Sequence, residues 1–234
     1  MKKLAFIPIL LLLLIQPSQL RAQELFINAD LVSSFLWRGI KYNDACLQPS
    51  MGIRGGGLQF MVWGSTDFNT YGSHVDLFLS YKLKNFRFEV ADYFVLNNPD
   101  DSFNYFDYKA NTTNHMFEAN VTYTVDPKRF PLAIKWSTFF AGTDFYDSED
   151  PGKRSYSSYL EFGYPFSYQN FDFRAEVGMT FWDGLYADKT NVVNLGLSMG
   201  KKVRITDKIT IPVSGKLIFN PYLQKSHFVF AINL

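Results

Sequence analysis

Phe171-Asp172-Phe173-Arg174-Ala175-Glu176-Val177-Gly178-Met179-Thr180 places an apolar side chain at every odd position and a polar or small one at every even position. A backbone that sends successive side chains to opposite faces turns this pattern into one apolar and one polar face, which is a β-strand. Helical spacing would scatter the same residues around a cylinder. The pattern recurs outward from there. Val75, Leu77, Leu79 and Tyr81 alternate with Asp76, Phe78, Ser80 and Lys82, and Phe117, Ala119, Val121 and Tyr123 with Glu118, Asn120 and Thr122. Near the end, Phe228, Phe230, Ile232 and Leu234 alternate with Val229, Ala231 and Asn233. From Leu25 the odd positions run through Ile27, Ala29, Leu31 and Phe35 to Trp37, against Asn28, Asp30, Ser34 and Arg38 among the even ones.

Twelve segments carry the period: 24–38, 48–54, 58–66, 75–82, 86–95, 115–123, 131–140, 157–164, 171–180, 192–205, 208–219 and 227–234. The segment 48–54 rests on Met51 and Ile53 alone. Pro212, which has no N–H to give a ladder, predicts a bulge, and Lys201 on an apolar face predicts a rim position or a bulge at Gly200. The connections 39–47, 67–74, 96–114, 141–156, 181–191 and 220–226 are long, and 55–57, 83–85, 124–130, 165–170 and 206–207 are short, apart from equal lengths at 124–130 and 220–226. An up-and-down meander with its long loops at one end produces that alternation. Outer-membrane barrels have it, with short periplasmic turns and longer external loops; a soluble lipocalin-like barrel is the competing architecture. Strands near ten residues suffice to cross a bilayer tilted. Aromatic residues on the apolar face fall at both strand ends: Tyr81, Phe86, Tyr123, Tyr164 and Phe171 beside short turns, Trp37, Phe94, Phe140 and Phe219 beside long loops. Two such rings predict interfacial girdles. The expected fold is therefore all-β: a transmembrane antiparallel up-and-down barrel of about 12 strands.

The composition agrees. Of 234 residues, 24 are Phe, 14 Tyr and 4 Trp, and the formal charge is +1. Disorder requires few aromatics and a high net charge; one cysteine excludes a disulfide framework; near-neutrality gives nucleic acid no footing. Lys2 and Lys3 precede an apolar run from Leu4 to Ile15, then a polar stretch leads to small Ala22. This is the layout of a secretory signal peptide, too short in its apolar part to span a bilayer. Residues 1–22 are thus expected to be an address and 23–234 the barrel. An integral position in a Gram-negative outer membrane follows as the expected location.

Several stretches resemble a known family. Ser33–Asp44 (SSFLWRGIKYND), followed by Gln48–Phe60 (QPSMGIRGGGLQF) and Val62–Ser65 (VWGS), is similar to the first hairpins of TorF-type porins. ADYF (Ala91–Phe94), NHMFEANVTY (Asn114–Tyr123), YSSYLEFGYPF (Tyr156–Phe166) and ITDKITIPV (Ile205–Val213) resemble a broader set of porin-like outer-membrane proteins. The resemblance implies an outer-membrane barrel with channel activity and carries over no catalytic residue and no substrate.

Chemistry-bearing motifs are sparse. No GxSxG, HExxH or P-loop pattern occurs. Barrel enzymes that act on lipid use a Ser–His–Asn site, which directs attention to His115 near Asn111 and Asn114 and to His227 after Ser226; His74 sits at a loop boundary. None is specific, and no enzyme, metal or cofactor is expected. Gly55-Gly56-Gly57 reads as a tight turn and Cys46 as a lone thiol in the first loop. Asp100, Asp101 and Asp107, with Asp144, Asp147, Glu149 and Asp150, make two loops acidic, which reads as solvated charge. What remains is the polar face. Arg38, Arg87, Glu89, Glu118, Lys135, Glu161, Arg174 and Glu176 are the candidate pore-lining residues, and Phe78, Tyr93, Phe139 and Tyr159 would narrow the passage. A barrel of about eight strands is filled by side chains and one of sixteen leaves a channel, so twelve lies between. The expected function is passive diffusion of small polar solutes or ions, against a non-conducting structural barrel or a lipid-acting enzyme. The expected partners are outer-membrane lipid and lipopolysaccharide, the barrel-insertion machinery through the C-terminal strand, and the solutes.

Overall fold

The computed structural model describes residues 23–69, 72–96, 104–110, 112–147 and 150–234, so the expected signal segment 1–22 lies outside the described residues. Its strands are β1 (Glu24–Val32), β2 (Phe35–Trp37), β3 (Ile40–Asn43), β4 (Cys46–Gly55), β5 (Leu58–Asp67), β6 (Ser73–Leu83), β7 (Phe86–Leu96) and β8 (His115–Asp126). They continue as β9 (Phe130–Gly142), β10 (Phe145–Asp147), β11 (Asp150–Arg154), β12 (Ser158–Tyr168), β13 (Phe171–Thr180), β14 (Asn191–Arg204), β15 (Thr210–Asn220) and β16 (Lys225–Asn233). Twelve of them close into one antiparallel barrel in chain order, with β1 meeting β16 at the seam; β2–β3 and β10–β11 are separate ribbons. No helix among the described residues is long and apolar enough to cross a membrane.

The period of two becomes the two faces of the wall. Leu79, Val90, Val121, Leu195 and Leu217 are exposed on the outside, while Ser80, Ala91, Asn120, Asn194 and Ile218, one position away, are buried inside. Val177 is 39% exposed and its neighbour Glu176 only 7%. A closed cylinder pairs wall N–H and C=O groups with one another in place of water, which is what lipid demands of a spanning structure.

The turns explain the loop asymmetry. At one end they are 56–57, 84–85, 127–129, 169–170 and 205–209; at the other the chain runs through 33–45, 68–72, 97–114, 143–157, 181–190 and 221–224, so the expected alternation fails at 205–209, which is as long as 68–72 and longer than 221–224. The equality of 124–130 with 220–226 disappears because β8 continues to Asp126 and β9 starts at Phe130. Gly56 and Gly57 hold φ of 58° and 91°, the left-handed pair that a two-residue hairpin needs.

Four expectations need correction. First, 24–38 is not one strand. The chain leaves the wall after Val32, where the Ser33 N–H donates to the Phe230 carbonyl, the Ser33 hydroxyl accepts from the Phe230 N–H, and the Ser34 hydroxyl donates to the Asn43 carbonyl. Serine side chains that bond backbone groups divert a strand in this way. Second, Pro212 causes no bulge: it pairs in register with Lys202, and β16 begins pairing with β15 only at Val213, so the missing N–H is not needed. Third, Cys46 is not in the first loop but is the buried first residue of β4, with the Gln48 amide donating to its Sγ at 3.5 Å. Fourth, the outer aromatic ring loses two members, because Trp37 turns into the lumen and Phe94 is covered by Tyr105, at a ring distance of 5.0 Å. Phe140 and Phe219 remain exposed at that end, as do Tyr81 and Phe86 at the other. Lys201 is the rim cation anticipated, its ammonium 4.8 Å from the centre of the Phe171 ring with no register shift at Gly200.

Candidate functional site

The site is built around the segment that leaves the wall. Trp37 pairs with Ile40, Leu36 with Lys41 and, past a one-residue register shift, Phe35 with Asn43, across Arg38-Gly39, whose φ values of 52° and 80° form a primed two-residue turn. Gly39 is required twice over: its φ is left-handed, and a Cβ there would lie 2.0 Å from the Val193 carbonyl oxygen. The hairpin crosses the lumen. At one side the Asn220 amide donates to the Gly39 carbonyl at 3.1 Å; at the other Trp37 meets Tyr93 at 5.6 Å and Phe35 meets Trp63 at 5.2 Å.

Its tip carries Arg38 into a box of rings and acceptors. The guanidinium lies 4.2 Å from the Trp37 ring centre and 4.7 Å from that of Tyr159. It donates twice to Glu118, at 2.5 and 2.9 Å, to the Ser137 hydroxyl at 3.0 Å, and to the Tyr186 hydroxyl. Tyr93 donates a third bond to Glu118 at 2.9 Å, and the Ser137 hydroxyl donates to the Asn120 side-chain oxygen at 2.5 Å. The Arg38 and Glu118 side chains are 5% and 0% exposed. A two-pronged bond between a planar cation and a carboxylate is the strongest class of side-chain pair, and burial removes the water that would weaken it. Phe139, Tyr159, Tyr186, Ala187 and Val193 pack around it.

A second lid layer comes from the loops. Ser157 donates to Asp144 through its N–H at 2.8 Å and its hydroxyl at 2.5 Å, and the Leu185 N–H donates to that hydroxyl at 2.8 Å. This chain ties loop 143–157 to loop 181–190, which supplies Tyr186. Burial pushes the Asp144 carboxyl above the ordinary aspartate range, and the bonds from Ser157 pull against that shift.

Below the crossbar a second charged group lines β12 to β15. Arg174 donates to Glu161 at 2.8 Å and approaches Glu176 at 3.5 Å, while Lys216 reaches Glu176 at 2.6 Å. Asn194 donates to Glu176 at 2.9 Å, and the Tyr159 hydroxyl donates to Glu161 at 3.0 Å. Arg174 and Lys216 side chains are 38% and 34% exposed, so water reaches this level. Glycines make room for the long side chains: a Cβ at Gly163 would lie 2.1 Å from the Arg174 guanidinium, and one at Gly196 2.6 Å from the Glu176 side chain.

Of the eight predicted pore residues, seven stand on wall strands and one does not. Arg38 sits at the hairpin tip, where it joins Glu118. Glu161, Arg174 and Glu176 come together. Glu89 and Lys135 line one cavity of about 290 Å³ beside the hairpin. Arg87 stands apart, donating to the Ser80 hydroxyl at 3.1 Å. The predicted lumen aromatics also converge, Tyr93 meeting Phe78 at 5.8 Å and Phe139 at 5.9 Å. Sequence reasoning missed Tyr186, Asn194 and the hairpin. The hairpin's signal was present as an X-Gly turn flanked by aromatic and β-branched residues; nothing in 181–190 announced that Tyr186 would be buried.

The histidines occupy unlike places. His115 carries Asp92 on Nδ1 and the Tyr105 carbonyl on Nε2, both at 2.7 Å, beneath Tyr108. This anchors segment 104–110 against the outer wall. His74 is buried among Phe35, Tyr42 and Trp63. Asp107 caps its own turn, accepting from the Thr112 hydroxyl at 2.6 Å, which holds its carboxyl below the usual range. Asp100, Asp101 and Glu149 lie outside the described residues, and among those described no group of three or more His, Cys, Asp or Glu could hold a metal ion. No protein-family model matches this chain, and no curated protein matches it.

Proposed function

We propose that the protein is an integral barrel of the Gram-negative outer membrane that passes small polar solutes or ions through its lumen, and that the conformation described is the closed one. The observation that carries the reading is the crossbar. A wall of twelve strands leaves interior space that an eight-stranded wall would fill with its own side chains. Here the closure comes from β2–β3, a ribbon hydrogen-bonded to itself and held to the wall mainly by side chains, above a level where Arg174 and Lys216 meet water. Such a segment can leave without opening the wall, and charges of both signs below it would set the field that permeating ions feel. Passage is diffusion down a gradient and needs no cofactor. The kinship with TorF-type porins suggested by SSFLWRGIKYND belongs to the same proposal.

A second reading, a non-conducting structural barrel, is favoured by the burial of Arg38 and Glu118, an ion pair that ties the hairpin to the wall out of contact with water. One experiment separates them. The full chain and a variant with 35–43 replaced by a Gly-Ser linker are refolded into planar bilayers, and single-channel conductance is recorded. Rare openings in the parent and sustained conductance in the variant support a gated passage. Silence from a variant that retains its barrel overturns it in favour of the structural barrel.

A further inference from the structure

The cavity beside the hairpin holds a carboxylate that has been given no cation. Asp76 is 4% exposed, and its one hydrogen bond comes from the Phe94 N–H at 3.2 Å. No basic side chain pairs with it among the described residues. Two other buried carboxylates on wall strands are treated differently: Glu118 has Arg38, and Glu176 has Lys216 and Arg174. A buried carboxylate with no partner charge is neutralised, by a proton while the cavity is empty and by a cation when one enters.

The surroundings say what should carry that charge. Asp76 pairs in register with Trp63 on one side and Tyr93 on the other, and all three line the cavity with Trp37 and Tyr42 from the hairpin. Ring faces attract cations and accept hydrocarbon. Two positions along the same face of β6, His74 is 5% exposed and its Nε2 has no hydrogen-bond partner. An unpartnered ring nitrogen in an aromatic wall calls for a hydrogen-bond partner, and in the tautomer that leaves Nε2 unprotonated an N–H or O–H of a ligand supplies it. Glu89 and Lys135 complete the charged lining, which with Asp76 makes two carboxylates against one ammonium. Calcium or magnesium would need six or more oxygen ligands, which this cavity does not offer, and no three His, Cys, Asp or Glu among the described residues are grouped to hold a metal ion.

We infer that this cavity binds a small organic monocation, a primary or secondary ammonium on an apolar or aromatic body. Its charge lies against Asp76, its body against Trp37, Trp63 and Tyr93, and its N–H donates to His74. The volume of about 290 Å³ is at the small end of ligand pockets and suits one ring with a short amine arm. The inference names a solute class for the passage proposed above, but binding requires only that the cavity be reached from one side.

The test uses the refolded full chain in detergent micelles and titration calorimetry with three probes: 2-phenylethylammonium, its neutral alcohol counterpart 2-phenylethanol, and the trimethylated quaternary form. The ammonium should bind saturably and about tenfold or more tighter than the alcohol. The quaternary form, with charge but no N–H, should fall between. Asp76→Asn should erase the preference for the ammonium and leave the alcohol unchanged. Absence of saturable ammonium binding, equal affinity for ammonium and alcohol, or an undiminished preference in Asp76→Asn overturns the site. The comparison of probes on the parent chain stands even where that variant does not fold. Binding without conductance removes the passage and keeps the site; conductance without binding does the reverse.

Discussion

Replacing Glu118 with Gln keeps the side chain's volume and removes its charge, which makes it the cleanest perturbation of the crossbar. Glu118 accepts three bonds, two from Arg38 and one from Tyr93. Glutamine offers one oxygen in place of two and turns an NH2 toward groups that are themselves donors. Arg38, 5% exposed, is then a buried cation with one amide oxygen, hydroxyls and ring faces around it and no anion. Breaking a buried ion pair by removing one partner costs about 3–5 kcal/mol. The barrel's register does not run through this pair, so the loss should fall on docking of the hairpin. At about 1.4 kcal/mol per tenfold, the undocked fraction rises by about two to three and a half powers of ten. Trypsin reads that fraction, because the Arg38–Gly39 bond is shielded while the hairpin is docked, and cleavage tracks the open population when reclosing is fast. Cleavage after Arg38, followed by mass spectrometry in lipid vesicles, should accelerate by at least about a hundredfold in Glu118→Gln. Glu161→Gln, whose partner Arg174 is more than a third exposed, should leave it nearly unchanged. An acceleration below about tenfold in a variant that still migrates as a folded barrel would refute the reasoning.

Three further outcomes are expected. Val177→Arg sets a charge on the exposed outer row and should lower folding stability in vesicles by about 2–4 kcal/mol, measured by urea titration; an unchanged midpoint would mean that row does not face lipid. Gly178→Ala brings a Cβ to 2.0 Å from the hydroxyl of the tightly buried Tyr159 and should cost about 1–3 kcal/mol, whereas Gly163→Ala meets only the movable end of Arg174 and should cost less; the reverse order would show the inner face packed otherwise. On intact cells, a cysteine at Asp188 should react with an impermeant maleimide and one at Lys128 should not, and labelling at Lys128 alone would invert the barrel.

Strands with one lipid-facing row were legible because period two is a local property that burial enforces on every residue. Eleven of the expected segments meet their strands within a few residues, and β13 matches 171–180 at both ends. The failure at 24–38 has a specific cause. Phe35 and Trp37 continue the alternation of Leu31, but an apolar row is equally content against lipid or against Tyr93 and Phe139. Periodicity reports that a face is dry and says nothing of which dry place it occupies. Parity likewise placed Glu118 and Glu176 inside, yet it could not say that one pairs with a hairpin arginine and the other with Lys216. Those pairings depend on contacts between residues far apart in the chain, and Asp76 differs from both only in what is missing around it.

β1 and β16 share three register pairs, where β1 and β4 share nine. The side-chain bond that reinforces the seam, from the Asn233 amide to Asp30, joins positions 203 apart. Every other wall pairing joins strands that follow one another along the chain and can form as soon as both are present. This one waits for the final residues, and until they arrive the sheet is a curved trough with two bare edges in a medium that cannot satisfy them. Closure entropy grows only slowly with chain length, so the delay comes from completeness and not from distance. A chain that loses its last few residues loses the moment of closure with them, and its first strand stays open to any edge that comes near.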